Sequence, residues 1–247
     1  MKNAQLYKKW FFILAFPIII ACLSFDSWKE LDLGSFKISI PTDWKYKQQQ
    51  GEDSFIGEIK GPKCSLSFDY SNNGYANSLI PTEQQYLQSN QWNQGYFYKP
   101  GVTYTADFNV KNERAAQMKK LGTTDSTKVH VEADPSYQTK IKIRRPTADQ
   151  KSKFPKADYI AEMTFKDSTI YVPIEIPPAV KYHYIQIDTT DKYIIKTIWP
   201  KMSSKGLTGI YVKSRSTRMN FKLSGINLSP RDQELALQSF KTIKFRD

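Results

Sequence analysis

Residues 36–44 read Phe-Lys-Ile-Ser-Ile-Pro-Thr-Asp-Trp, and this stretch decides the fold class. Apolar and polar side chains alternate from Phe36 to Ile40, which is the two-residue period of a strand with one buried face. Pro41 has no amide hydrogen to donate, so we expect the strand to end before it. The stretch therefore predicts a strand whose Phe36, Ile38 and Ile40 side chains face a core.

Two more strands are predicted shortly after this one. Residues 55–59 form the first of them, although Gly57 in its interior offers no side chain for packing. Residues 64–70 form the next, with Cys64 on the face that we expect to be buried. Only Lys63 nearby in sequence would lower the pKa of this thiol, so we predict an inert cysteine.

The later part of the chain repeats the alternating pattern. Apolar residues two positions apart occur in five segments: Val129 with Val131, Ile141 with Ile143, Ile170 with Val172, Ile185 with Ile187, and Ile210 with Val212. Asp188 and Asp191 lie in one of the polar stretches between them. A calcium loop would need further oxygen ligands, so we interpret this stretch as a hairpin turn. Sequential hairpins predict a mainly antiparallel sheet.

Capping signals predict two helices. Thr82 with Gln85 three residues later has the spacing of a capping box before a short helix. Ser229 is a good N-cap for a second helix, whose apolar face extends to Phe240. Residues 242–245 then read as a closing strand. The predicted fold class is α+β, a mainly antiparallel sheet with flanking helices.

The first 22 residues have the pattern of an export signal. Three lysines precede an apolar run over residues 10–21, and Cys22 follows it. Residues 19–22, Ile-Ile-Ala-Cys, resemble the lipobox of bacterial lipoproteins. That resemblance implies that residues 1–21 are a signal peptide and that Cys22 carries an acyl chain such as palmitate. We therefore expect an exported protein anchored to a bacterial membrane, facing the periplasm or the cell exterior.

Two alternatives to lipidation stay open. A signal peptidase could cut after Ser24, or residues 10–25 could remain as an anchor. The second alternative is the weaker, since this segment has 16 residues and a bilayer core needs about 20. In the lipoprotein interpretation, residues 22–35 form a short tether and residues 36–247 a single α+β domain. Acylation of Cys22 would also leave Cys64 without a disulfide partner.

Positive charge is concentrated in the middle of the chain. The formal charge is +12, or +9 without the three lysines of the leader, and residues 111–157 hold 12 basic against 5 acidic residues. We interpret this region as a basic insertion that contacts an anionic surface, a membrane or envelope polymer, because exported proteins rarely meet nucleic acid. A solvated face that keeps the protein soluble is the alternative. The candidate contact residues are Lys140, Lys142, Arg144 and Arg145.

The chain lacks the common catalytic and metal-binding motifs. It contains no G-x-S-x-G, H-E-x-x-H, C-x-x-C or phosphate-binding glycine loop. Its only histidines, His130 and His183, lie within strand patterns, where we expect structural roles. A zinc site needs about four ligands, and two histidines with Cys64 do not supply them. We therefore predict no cofactor and no metal.

An aromatic cluster is the clearest candidate for ligand binding. Trp92, Tyr96, Tyr98 and Tyr104 lie among Asn, Gln and Gly residues, and Tyr96 and Tyr98 would share one face of a strand. Flat rings beside amide groups suit contacts with a sugar or a peptide. Packing of the same rings in a core or at an edge is the alternative.

Both ends of the body resemble one family. The strand and proline–tryptophan corner of residues 36–44 resemble the start of PsbP-like domains, and the helix that leads into residues 239–245 resembles their end. The resemblance implies a sheet sandwiched by helices and mostly non-catalytic accessory roles. We therefore predict a non-catalytic binding or accessory protein of the cell envelope, with an envelope protein or glycan as partner. The alternatives are an unrecognised envelope hydrolase and a structural assembly factor.

Overall fold

The structure, a computed structural model, describes residues 27–202 and 204–246. Its strands are β1 (Trp28–Asp32), β2 (Phe36–Pro41), β3 (Lys45–Gln48), β4 (Phe55–Lys60), β5 (Ser65–Ser71), β6 (Thr103–Thr105), β7 (Val131–Ala133), β8 (Lys140–Arg144), β9 (Tyr159–Phe165), β10 (Ser168–Ile174), β11 (His183–Thr189), β12 (Tyr193–Pro200), β13 (Leu207–Ser214), β14 (Asn220–Ile226) and β15 (Lys244–Phe245). Its α-helices are α1 (Glu83–Gln88), α2 (Val110–Lys120), α3 (Ala148–Lys153), α4 (Pro178–Lys181) and α5 (Pro230–Phe240).

The largest sheet has seven strands in the order β11-β12-β13-β14-β5-β4-β3, and all neighbours in it are antiparallel. The hairpin predicted after β11 is confirmed, because Thr190 N donates to Tyr193 O at 2.8 Å across the turn. The predicted α+β class with mainly antiparallel pairing is also confirmed, although β6 and β7 pair in parallel.

A second layer covers one face of this sheet. It consists of the three-stranded sheet β1-β2-β15 and of α5, which contacts both β2 and β13. The alternation of β2 has the predicted effect, since the Phe36, Ile38 and Ile40 side chains are wholly buried. The Phe36 ring lies 5.3 Å from the Phe68 ring and 4.7 Å from the Phe221 ring, centroid to centroid. These contacts form the main core.

The predicted N-cap of α5 and the predicted closing strand are both present in this layer. Ser229 caps α5 by accepting a hydrogen bond from Asp232 N at 3.1 Å, and the closing strand β15 pairs with β2. Strand β2 extends one residue further than predicted, since Pro41 pairs with Trp28 of β1. Strand β1 lies in the range of the predicted tether, so at least residues 28–32 of that range belong to the folded body.

Residues 72–182 form a segment inserted between β5 and β11 of the large sheet. The segment has its own sheet, β10-β9-β8, and its own hydrophobic core around Trp92, Met163 and Ile174. The basic region predicted over residues 111–157 is thus the middle of a longer insertion. Helix α2 was not predicted because it buries none of its residues and so lacks an apolar period.

The start of the insertion is fastened to the face of the large sheet that lies opposite the second layer. The Asn220 side chain accepts a hydrogen bond from Ala76 N and donates one to Ala76 O, both at 3.0 Å. Lys196, only 4% exposed, donates to Ile80 O at 3.0 Å, and burial lowers the pKa of this lysine. Within the described residues, no helix is both long and apolar enough to cross a bilayer.

Candidate functional site

The seven-stranded sheet is wider than the layer that covers it. Strand β2 packs over β5 and β14, and α5 packs over β13. Beyond that helix the sheet continues by two further strands, β12 and β11. The overhang leaves a cavity of about 690 Å³ between the sheet and the α5–β15 wall, which we call the apolar cavity.

Alternate residues of two strands form the floor of the apolar cavity. Because Ile195 pairs with Val212 and Thr197 with Ile210, these side chains share one face of the sheet. Tyr193 and Trp199 extend the same row along β12. The wall opposite the floor is also apolar and consists of Leu237 and Phe240 of α5 with Ile243 and Phe245.

Aromatic rings border the apolar cavity at two places. The Tyr193 ring lies 5.4 Å from the Phe245 ring, which joins floor to wall. At the other side the Trp199 ring lies 5.6 Å from that of Tyr184, a residue that is half exposed. Both contacts hold large apolar side chains at the border of an open volume, where their surfaces are available to a ligand.

Polar groups other than Thr197 lie along the edge strand β11, where Gln186 and Asp188 continue the rows of Thr197 and Ile195, and in the turns near its end and after α5; we call this border the mouth. Three of them are lysines, Lys192, Lys241 and Lys244, which we call the lysine rim. Asp188 is the one carboxylate among the described residues that line the cavity, and it accepts a hydrogen bond from Gln186 Nε2 at 3.0 Å. The mouth therefore carries a positive surplus, whereas the interior is apolar.

This arrangement is suited to holding a molecule with an apolar body. Ligand pockets in proteins typically enclose about 300–1,000 Å³ with mostly hydrophobic walls and a few polar groups, and the apolar cavity matches that description. Across residues 27–202 and 204–246, no three His, Cys, Asp or Glu side chains come together in a group able to hold a metal ion.

The four aromatic residues singled out in the sequence do not form a single cluster, because Trp92 lies apart from the three tyrosines. Trp92 is only 7% exposed and lies in the core of the insertion, where its Nε1 donates to Leu87 O at 2.9 Å. Tyr96 and Tyr98 do not lie in a strand, so that prediction was wrong. They are part of a turn in which Tyr98 N donates to Gly95 O at 2.9 Å.

Tyr98 and Tyr104 do come together. Their ring centroids are 4.7 Å apart in an edge-to-face arrangement, and Tyr98 Oη donates to Asp134 at 2.5 Å. This hydrogen bond raises the pKa of Tyr98. Tyr104 Oη accepts from Lys99 N at 2.7 Å. Tyr96 and Tyr98, each nearly half exposed, line a separate cleft of about 220 Å³, which we call the tyrosine cleft.

The four predicted basic contact residues divide into two groups. Lys140, Lys142 and Arg144 are exposed on one face of the edge strand β8, which we call the basic strand face. Arg145 is held elsewhere, because it forms an ion pair of 3.2 Å with Glu83 and lies 3.9 Å above the Tyr159 ring. It therefore ties α1 to β9 within the insertion.

Of the two cysteines, the structure describes only Cys64. Cys22 lies outside the described residues. Cys64 is half-buried against the main core just before β5, and burial raises the pKa of its thiol to about 11, with the Asp232 carboxylate as the second cause. At neutral pH the thiolate is therefore scarce, in agreement with the predicted inert cysteine.

Both nitrogens of the buried His183 ring have backbone partners. Nδ1 lies 2.6 Å from Ala179 O, and Nε2 accepts from Leu207 N at 2.9 Å. Since a carbonyl only accepts, this geometry makes Nδ1 the donor and Nε2 the acceptor, so both ring nitrogens are engaged in structural contacts. His130 is exposed, and His130 O accepts from Thr103 N at 2.9 Å. Neither histidine lines the apolar cavity or the tyrosine cleft.

Sequence reasoning missed the residues of the apolar cavity. The run Tyr-Ile-Ile-Lys-Thr-Ile-Trp at residues 193–199 carries apolar side chains on both faces, a sign of a strand covered on both sides. That signal would have found β12, yet it predicts burial rather than an open floor. No model of a known protein family matches this chain, and no curated protein matches it either.

Proposed function

We propose that this chain is a non-catalytic binding protein of the bacterial cell envelope, held at a membrane by a lipid on Cys22. We further propose that the apolar cavity takes up a small ligand with an apolar body. The observation that carries the proposal is the open volume of about 690 Å³ with a floor of sheet side chains and a wall from α5 and β15.

A small molecule suits this site better than a protein segment does. The cavity lies between the sheet and the α5–β15 wall, and the floor strands β12 and β13 are hydrogen-bonded to neighbours on both sides. Such a floor is rigid and largely pre-formed, so little ordering free energy is lost when a ligand enters. Burial of apolar surface on both partners then supplies the affinity.

The PsbP-like sandwich is part of the same proposal. The two stretches that resemble the family lie far apart in the chain, and they are neighbours in space because Phe245 pairs with Phe36. Trp44 at the proline–tryptophan corner is almost fully buried in the same core. This juxtaposition supports the comparison, which would favour an accessory role without catalysis.

A second candidate function is binding of an envelope protein or glycan by the insertion. Tyr96 and Tyr98 offer exposed rings beside Asn90 and Asn93 at the tyrosine cleft. The basic strand face would place the same insertion against an anionic membrane or polymer surface. At about 220 Å³ the cleft is small for a ligand pocket, so we rank this proposal second.

Filling the apolar cavity should weaken binding of an apolar probe. We expect Ile195→Trp to reduce the affinity for the neutral dye N-phenyl-1-naphthylamine at least about tenfold, because the indole would occupy the floor that the dye covers. The measurement is a fluorescence titration of the full-length protein. Ile194→Trp is the matched control, since Ile194 is 37% exposed on the opposite face of the same strand. Equal affinities in the two variants would contradict the proposal.

The membrane tether has a separate test. Wild-type protein extracted from membranes should have the mass of residues 22–247 plus the acyl groups on Cys22. Cys22→Ser should lack that increment and leave the membrane fraction, because a single serine offers no thiol for lipid attachment. Cys64→Ser should keep the lipid. A mature chain that begins unmodified at Phe25 would instead establish cleavage after Ser24.

A further inference from the structure

We infer that the ligand of the apolar cavity is an amphiphile with one anionic head group, held at the mouth by Lys241 and Lys244. This inference rests on the proposed function and adds the chemical class of the ligand. It follows from the positions of charge at the cavity, from the groups that hold the two lysines in place, and from what the interior lacks.

The backbone that carries the two lysines is held in place. Lys241 is the C-cap of α5 and Lys244 begins β15, with Thr242 and Ile243 between them. Thr242 Oγ1 donates to Ser239 O at 2.7 Å and accepts from Ser39 N at 2.8 Å, so it links the end of the helix to β2. The turn is thereby fixed against the main core, and both lysines stay at the mouth.

Two features near the mouth would oppose an anion, and neither dominates. The carboxyl end of a helix carries partial negative charge. At α5 those carbonyls already have donors: Ser239 O accepts from Thr242 N at 2.9 Å, and Gln238 O accepts from Lys241 N at 3.2 Å. The other feature is Asp188, whose carboxylate accepts from Gln186. Three lysines against one aspartate still leave the mouth positive.

The ammonium groups of Lys241 and Lys244 are available to a ligand. Within the part of the chain that the structure describes, neither forms an ion pair or a side-chain hydrogen bond. Lys37 on the neighbouring strand is different, because it is paired with Glu30 at 2.9 Å and with Asp32 at 3.5 Å. An anion at the mouth would therefore gain two cations without breaking an existing pair.

The interior determines the rest of the ligand. The floor and wall present aliphatic and aromatic side chains, with Thr197 as the single polar residue away from the mouth. A sugar or nucleotide would bury many polar groups without partners there, which is costly. A molecule with its charge at one end and a hydrocarbon or aromatic body at the other satisfies both regions. Fatty carboxylates and single-chain phosphate esters share this chemistry.

Competition against the neutral dye tests this inference on the full-length protein. The competitors are dodecanoate, dodecyl phosphate and the neutral dodecyl maltoside, each below its micelle concentration. We expect both anions to displace the dye at concentrations at least about tenfold lower than the maltoside does. The stronger of the two anions identifies the preferred head group. This difference between the anionic and the neutral competitors should decrease as the salt concentration rises, because the lysine rim is exposed to solvent.

Variants of the rim separate local contacts from overall charge. We expect Lys241→Ala/Lys244→Ala to reduce the affinity for both anions about tenfold. The affinities for the dye and for the maltoside should stay unchanged. Lys241→Arg/Lys244→Arg should retain the preference. Lys63→Ala/Lys213→Ala removes the same charge from exposed sites away from the cavity and should have no effect.

Three outcomes would overturn the inference. The first is equal displacement by anionic and neutral competitors, and the second is an equal loss in the rim and control variants. If either of these occurs while Ile195→Trp weakens dye binding and Ile194→Trp does not, the proposed function is retained and only the proposed ligand class is refuted. The third is absence of saturable dye binding to the wild type, which refutes the proposed function together with this inference.

Discussion

Phe36→Ala is expected to lower the free energy of unfolding by about 3–5 kcal/mol, the largest effect that we predict for any single substitution in this chain. Phe36 has no exposed surface. Its ring contacts the rings of Phe68 and Phe221 on the large sheet and lies 6.4 Å from that of Phe245. Alanine would leave a void between two rigid layers, which cannot close over it because both are hydrogen-bonded sheets.

Urea unfolding followed by tryptophan fluorescence would measure this loss. Phe108→Ala is the control, since Phe108 is 89% exposed and its removal should change the free energy of unfolding by less than about 0.5 kcal/mol. A loss below about 1 kcal/mol for Phe36→Ala would mean that the two layers are not packed through this ring.

The second large effect is expected for Gly57→Ala, which should cost about 1–3 kcal/mol through overpacking. Gly57 pairs directly with Phe68 of β5. A Cβ at position 57 would lie 2.6 Å from the Phe68 ring and 2.8 Å from the Tyr46 ring. The Phe68 ring has little room to move, because it also packs against Phe36 and Phe55 at 5.3 Å and 5.2 Å.

A double substitution distinguishes this clash from a general glycine effect. Phe68→Leu alone should destabilise the protein by leaving a cavity, and it should also vacate space over position 57. Gly57→Ala/Phe68→Leu should therefore lose less than the sum of the two single losses in the same urea assay. Strict additivity would contradict the proposed ring contact and would attribute the glycine to backbone conformation instead.

The role of Gly57 in packing is one that local sequence rules do not reveal. In the sequence this glycine weakens the prediction of a strand, because it contributes no side chain to the core. In the structure β4 spans Phe55–Lys60, and the ring of a neighbouring strand occupies the space over Gly57. The compensating residue is Phe68, 11 positions later, and no local pattern links the two.

Elements with strong local signals were predicted well. The alternation of β2, the capping box of Thr82 and the N-cap of Ser229 all appear in the structure as expected. Helix α2 was missed because its stability does not depend on a buried apolar face. The turn at residues 95–98 was mistaken for a strand because Tyr96 and Tyr98 imitate a two-residue period.

The candidate site could be predicted only in part. The basic strand face was found because charges at every second position of a strand remain visible in the sequence. The apolar cavity was missed because its floor and its wall come from β12, β13, α5 and β15. The cavity exists because the seven-stranded sheet is wider than the layer of β1, β2, β15 and α5 that packs on it, and this width is not visible in the sequence of any one element.

The sequence by itself determined the α+β class, the antiparallel hairpins and the terminal helix, because each depends on side-chain period and on capping within a few residues. Tertiary structure alone decided which of the apolar strand faces became core and which became the floor of a cavity. Val212 and Ile195 pair with each other on the floor of the apolar cavity, yet Val212 is only 2% exposed and also belongs to the main core, whereas Ile195 remains partly exposed. The difference arises because α5 packs on β13 but does not cover β12. The same local pattern is therefore covered by a helix at one strand and borders an open volume at the next.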